Sequence, residues 1–243
     1  MRKFATLAIL TTIFMGACSK QDPILPGDRE SIFGSTAVAV AGKEIATTPV
    51  AVSLKTYECS YTQDSSNVIW DGENKIFSGF PTSNCVKSDQ KPVSDGKHIY
   101  AGLTTGELIK VNPKTRNVEW VADIYRESNL TGGAAVLDII APIVLHENHV
   151  YVGGLGDAFC KINKSNGTKR WCAYISVGIP FELTNSFAFV VSTDKHLNAI
   201  NLDTGEIYWR TAVKKAVTPV LRDDIIIVGR QGFRISDGSK KDL

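Results

Sequence analysis

Beyond about residue 60 the apolar positions fall into short alternating runs of about five residues separated by turn signals. HIYAG at 98–102 is followed by LIKVN at 108–112, HVYVG at 149–153 by FCKIN at 159–163, and FAFVV at 187–191 by LNAIN at 197–201. A final run, IIIVG, occupies 225–229. Period-two alternation is the mark of strands, and no segment keeps apolar residues at helical spacing through three turns. Ser165-Asn166-Gly167 and Asp203-Thr204-Gly205 supply hairpin turns between the runs. The pattern predicts an all-β fold.

The runs also recur in a fixed order. Pro92-Val93, HIYAG, LIKVN and Trp120 make one unit; Pro142-Ile143, HVYVG, FCKIN and Trp171 a second; Pro180-Phe181, FAFVV, LNAIN and Trp209 a third. A fourth opens with Pro219-Val220 and IIIVG but stops after Phe233-Arg234-Ile235, with no tryptophan. Trp70 reads as the end of a unit whose beginning has diverged. A repeat of roughly 40–50 residues built from short strands is the signature of propeller blades. A lone four-stranded sheet leaves both faces uncovered; stacking covers them, and a recurring indole gives a large packing surface between neighbours. The expected architecture is a small or incomplete β-propeller of about four to five blades. Two arrangements are open: Ser66–Trp70 closes the last blade, or the propeller is truncated with bare sheet edges.

The stretch from His196 to Trp209, HLNAINLDTGEIYW, resembles the PQQ-type propeller repeat. The N-terminus adds a second resemblance. Arg2-Lys3, an apolar run from Phe4 to Phe14, and Met15-Gly16-Ala17 before Cys18 describe a secretory signal over residues 1–17. Met15-Gly16-Ala17-Cys18 is similar to the lipobox of bacterial lipoproteins. That similarity implies lipidation of Cys18 and, with Ser19 following, the periplasmic face of the outer membrane. Residues 18–30, polar and with two prolines, read as a flexible tether, leaving 31–243 for the propeller. With Leu25-Pro26-Gly27-Asp28-Arg29 after the tether, the chain resembles the BamB lipoproteins, propeller subunits of the machinery that inserts β-barrels into the outer membrane. Family members usually have eight blades, so this chain is short for the family.

Removing Arg2 and Lys3 with the signal also removes the formal net charge of +2. Neither nucleic acid nor an anionic surface is then favoured as a partner by bulk charge. Besides Cys18 there are Cys59, Cys85, Cys160 and Cys172, which in an exported chain allow three disulfide pairings. Cys160 and Cys172 flank Asn166 symmetrically and should face each other across a hairpin. Cys59 and Cys85 pair by elimination.

No CxxC or paired-histidine spacing points to a metal, and no cofactor is expected. His98 and His149 occupy equivalent positions at strand starts, and His146 and His196 lie at turns, so all four read as structural. Gly153-Gly154-Leu155-Gly156 joins strands and does not open a helix, unlike a phosphate-binding loop. The connections from each tryptophan to the next unit are the best place for a partner, because the first two are about twice as long as the last two. The second long one carries Tyr125, Arg126, Glu127, Asn129 and Leu130, a mixture suited to an interface. The function expected is therefore a lipid-anchored scaffold that binds a periplasmic or outer-membrane protein, the barrel-assembly machinery by resemblance, without catalysis. The alternatives are a PQQ-dependent dehydrogenase-like protein and a degenerate propeller fragment.

Overall fold

The computed structural model describes residues 49–55, 57, 59–82, 90–125 and 136–243. The signal segment, Cys18, the tether, Cys85, and Arg126, Glu127, Asn129 and Leu130 lie outside the described residues.

All regular structure among the described residues is β, in five antiparallel sheets whose strands follow chain order. The first sheet holds β1 (Thr62–Gln63), β2 (Val68–Asp71) and β3 (Asn74–Ser78). The second holds β4 (Val93–Ser94), β5 (Ile99–Gly102), β6 (Glu107–Asn112) and β7 (Asn117–Asp123). In the third are β8 (Val144–His146), β9 (His149–Gly154), β10 (Ala158–Asn163) and β11 (Lys169–Ala173). The fourth comprises β12 (Glu182–Leu183), β13 (Phe187–Val191), β14 (His196–Asn201) and β15 (Ile207–Ala212). The fifth comprises β16 (Pro219–Arg222), β17 (Ile225–Val228), β18 (Gln231–Arg234) and β19 (Lys240–Lys241).

Successive sheets pack face to face, as propeller blades do. Ile99, Ala101, Ile109 and Val111 of the second sheet meet Ile69, Ile76 and Phe77 of the first. The alternate residues Tyr100, Leu108, Trp120 and Ala122 point the other way, onto Val150, Val152, Cys160 and Ile162 of the third. Phe159 and Ala173 continue the stack onto Val190 and Ile200, and Phe189 and Trp209 onto Ile226 and Phe233. Inner strands are thus covered on both faces, which is why β5 and β13 are buried at every position. Each fully buried large side chain contributes roughly 1.5–3 kcal/mol, so the stack is held chiefly between sheets.

The indoles act as expected in three places. Trp120 Nε1 donates to Lys164 O (3.2 Å), Trp171 to Leu202 O (2.9 Å) and Trp209 to Ile235 O (2.7 Å), each carbonyl belonging to the next sheet. Beneath each ring lies a turn glycine of that next sheet, Gly167, Gly205 or Gly238. All three have positive φ, and a Cβ there would come within 2.5–2.8 Å of the ring. Glycine is required twice over, for the left-handed backbone and for the indole above it.

Trp70 departs from this role. It sits on β2 between Thr62 and Lys75, and its indole donates to Asp64 Oδ2 of its own sheet. The register shift that marks the third-to-fourth strand pairing at Lys110/Val111, Lys161/Ile162 and Ala199/Ile200 falls in the first sheet at Ile69/Trp70. β1–β3 therefore correspond to the second, third and fourth strands of a blade, and Phe77 takes the indole's station. With no indole overhead, the matching turn position of the second sheet tolerates Arg116 at φ 59° instead of glycine. The last sheet is not closed by Ser66–Trp70 either. Its fourth strand is its own Lys240–Lys241, paired with Gly232 and Phe233. That short edge strand has neither alternation nor indole to announce it.

Ahead of the first sheet, an extended segment lies along the edge of β12. Val52 N–H donates to Leu183 O and Asn185 N–H to Val50 O, with Ala51 opposite Thr184.

Candidate docking surface

An antiparallel meander places its first-to-second and third-to-fourth turns at one end of each sheet. The second-to-third turns and the crossings to the next sheet lie at the other. These are the turn end and the connection end.

At the turn end the sequence dictates a rigid repeat. Asn112, Asn163 and Asn201 each use Oδ1 to accept N–H groups two or three residues on, from Lys114 and Thr115, Ser165, and Asp203 and Thr204. Such Asx turns cap the strand and, in the third and fourth sheets, fix the glycine beneath the indole. A cluster of charged and polar groups backs this end of the second sheet. Glu119 pairs with Lys110 Nζ (2.7 Å) and His98 Nε2 (3.1 Å), while Tyr100 Oη donates to Asp95 Oδ2 (2.9 Å) and Lys164 Nζ stands 3.9 Å from it. Burial alone would raise the Asp95 carboxyl. The N–H groups of His98 and Lys97, the Tyr100 hydroxyl and the His98 ring outweigh it and bring the group down to about 2. Burial and the neighbouring Asp95 carboxylate push the Tyr100 hydroxyl upward. The Lys110 ammonium, hydrogen-bonded to Glu119, holds that carboxylate below its usual range. These charges satisfy one another, as a structural network does. His149 is lowered by burial first and by Lys161 and Arg170 next, and it closes the β8–β9 hairpin opposite His146.

Cys160 and Cys172 stand opposite each other on β10 and β11 and are joined by a disulfide, Cα atoms 4.1 Å apart. Cys59 carries a half-buried free thiol, which burial pushes up.

At the connection end, backbone hydrogen bonds pass from sheet to sheet. Asn67, fully buried, bridges the first and second sheets through Thr104, donating to Oγ1 (2.8 Å) and accepting from N–H (2.9 Å). Ile139 N–H reaches Leu103 O, Leu155 N–H reaches Asp138 O and Thr193 N–H reaches Ser176 O, while Val213 N–H to Lys195 O extends the β14–β15 pairing of the fourth sheet into the crossing. Lys214 N–H ends the series on Gln231 Oε1 (2.7 Å).

Tyr125 belongs to this frame. It is only 5% exposed, and its ring lies against Gly106 and Gly156 and its hydroxyl against Gly154. A polar-tipped aromatic in a long connection reads as an interface anchor, but two adjacent glycine turns make a slot that its ring fills. Tyr125 is therefore a core residue and not a partner-facing one.

What this end exposes is different. Phe80 is 83% exposed and Tyr174 61%, and Val217 is exposed too, in the connections after β3, β11 and β15 respectively. Lys195, Lys214, Lys215 and Arg230 are exposed as well, and none takes part in an ion pair among the described residues. Asp194 of the same turn is held by Arg210. Phe80 had a signal in the sequence, since an aromatic between Gly79 and Pro81 cannot be a strand-core residue. Among the described residues no group of His, Cys, Asp and Glu side chains could hold a metal ion.

Stacked meander sheets, indoles that reach the next sheet and glycine-bearing Asx turns are features that a sequence family can carry. The family model described as outer membrane protein assembly factor BamB matches residues 33–211 and, overlapping them, 135–238. The chain belongs to the BamB family. Outer membrane protein assembly factor BamB of Bordetella pertussis is 23% identical over 135 residues, covering 54% of this chain and 35% of that protein. This BamB-family chain thus spans about a third of the length of that curated relative. The crystal structure of BamB from Moraxella catarrhalis superposes with a TM-score of 0.50 at 15% identity, over 79% of this chain and 66% of the other. A quinohemoprotein alcohol dehydrogenase from Pseudomonas putida HK5 gives 0.53 at 14% identity, over 75% and 40%. Two proteins of such different description share the architecture, so the likeness to solved structures is one of fold alone.

Proposed function

We propose that this BamB-family chain is a protein-docking scaffold, held by a lipid on Cys18 at the periplasmic face of the outer membrane, that serves β-barrel assembly without catalysing a reaction. The observation that carries the reading is the connection end, where a hydrogen-bonded frame displays Phe80, Tyr174 and Val217 together with cations that form no ion pair among the described residues. Exposed aromatic and cationic side chains on a rigid support are the composition of an interface. Membership of a family described as an outer membrane assembly factor supports the choice of process. The lipobox-like Met15-Gly16-Ala17-Cys18 supports the anchor.

The test is co-purification of the full chain from native membranes in mild detergent. Recovery of the barrel-inserting protein of the outer membrane is expected. Stable, membrane-associated protein that brings none of it down contradicts the proposal. Labelling with a radioactive fatty acid, lost on Cys18→Ala, checks the anchor separately.

A further inference from the structure

Four exposed cations of the connection end that form no ion pair among the described residues lie at one junction, with Lys91 apart from them before β4. Lys195 lies in the turn before β14, and its carbonyl accepts from Val213 N–H (2.9 Å) in the crossing between the fourth and fifth sheets. Lys214 and Lys215 follow directly in that crossing. Lys214 N–H is held by Gln231 Oε1, which brings Arg230 alongside. Four exposed cations thereby lie where the fourth and fifth sheets meet, with Lys195 held through its carbonyl and Lys214 through its N–H. Asp194, whose carboxylate would answer them, is turned to Arg210 and His196. Asp242, which follows β19 and by register lies level with Gln231, is the exposed carboxylate nearest this junction, and among the described residues it forms an ion pair with none of the four cations.

We infer that this junction binds an acidic, extended segment of a partner polypeptide. The inference rests on the scaffold reading and deepens it by giving the partner's chemistry. A polypeptide fits the footprint better than a membrane. Four of the cations are gathered at one junction, with only Lys91 apart among the described residues, and the large exposed ring at the same end, Phe80, sits on the first sheet. Beside the cations the exposed apolar side chains are Val217 and Leu243, both aliphatic and too few to enter a bilayer, whereas Tyr174 lies within reach of a chain. Tyr174 precedes Ser176, whose carbonyl is bonded by Thr193 N–H two residues before Lys195. Cations on a fixed backbone keep their spacing, so binding loses little freedom in ordering them. Because the site is exposed, the attraction must weaken as salt is added.

The test uses the full chain and a fluorescein-labelled peptide of alternating glutamate and serine, read by anisotropy at low and at physiological salt. The wild-type chain binds at low salt and loses affinity as salt rises. Lys195→Glu with Arg230→Glu weakens binding about tenfold, the sum of several exposed charge contacts reversed in sign. Lys97→Glu with Lys114→Glu, the same change in net charge at the turn end, weakens it less than about twofold. Equal losses in the two double variants overturn the inference, since they reveal attraction by net charge alone. Absence of wild-type binding also overturns it. So does binding to vesicles of phosphatidylcholine and phosphatidylglycerol without binding to the peptide. A folded Lys195→Glu/Arg230→Glu chain that still co-purifies with the barrel-inserting protein would overturn this inference while leaving the scaffold reading standing.

Discussion

The two ends of the sheet stack are built from the same strands under different constraints. At the turn end an asparagine, a glycine and an indole recur from the third to the fifth sheet, with only the identity of the first residue drifting to Arg234 in the last. Each part fixes another, and a change in one is felt by the next sheet. At the connection end the repeated part is main chain, a run of N–H to carbonyl bonds that specifies few side chains. Side chains there are free to vary, and they have become aromatic and cationic. Backbone-held ends can thus acquire function at little cost to the fold, whereas indole-held ends cannot.

The largest test of that contrast is Trp209→Ala. It removes a buried ring and its bond to Ile235 and should cost about 3–5 kcal/mol in urea unfolding. Trp70→Ala, half-exposed and bonded only within its own sheet, should cost about 1 kcal/mol. Similar losses for the two would mean that Trp70 does join neighbouring sheets. Next in size is Gly205→Ala, which imposes a left-handed alanine and pushes the Trp171 ring. A loss of about 2–3 kcal/mol is expected, and a neutral result would show that the indole is not seated there.

Removing the Cys160–Cys172 bridge by paired serine substitution should lower stability by about 2–3 kcal/mol, measured against wild type under oxidising conditions. Under reducing conditions the difference should vanish.

Acid provides a further test at the turn end. Asp95 is depressed in the folded chain to about 2 from its ordinary 3.8. A depressed carboxyl stabilises fully above its unfolded value and loses that contribution as pH falls toward the folded one. About 1–2 kcal/mol should therefore disappear between roughly pH 4 and pH 2, after allowance for solvent screening. Asp95→Asn should flatten this part of the stability profile. An unchanged slope would remove Asp95 from the network. The smallest effect is expected at the connection end, where Phe80→Ser should move stability by less than about 0.5 kcal/mol while lowering partner recovery.

How much of this was legible in the sequence follows from which residues feel their neighbours locally. The strands of the second to fourth sheets alternate in sequence because they alternate in space, and Cys160 opposite Cys172 follows from the spacing around Asn166. The first sheet was not legible. Trp70 marks a blade's end by type, but the two-residue turn at Gly72-Glu73 shifts its strand one place inward, and Phe77 inherits the packing. β19 escaped because an exposed edge of two lysines carries no apolar signal. Tyr125 was misplaced because its partners, Gly106 and Gly156, are distant in sequence. The exposed cations of the connection end are ordinary residues one by one. Their convergence depends on hydrogen bonds from Lys195 to Val213 and from Lys214 to Gln231.

The central claim is that partners meet the connection end. A photo-activated crosslinking residue placed at Lys214, and in a separate chain at Lys97, reads it most directly in living cells. Covalent adducts with the barrel-inserting protein should form from position 214 and not from position 97. Adducts from position 97 alone, or from neither position in stably folded protein, would contradict the account.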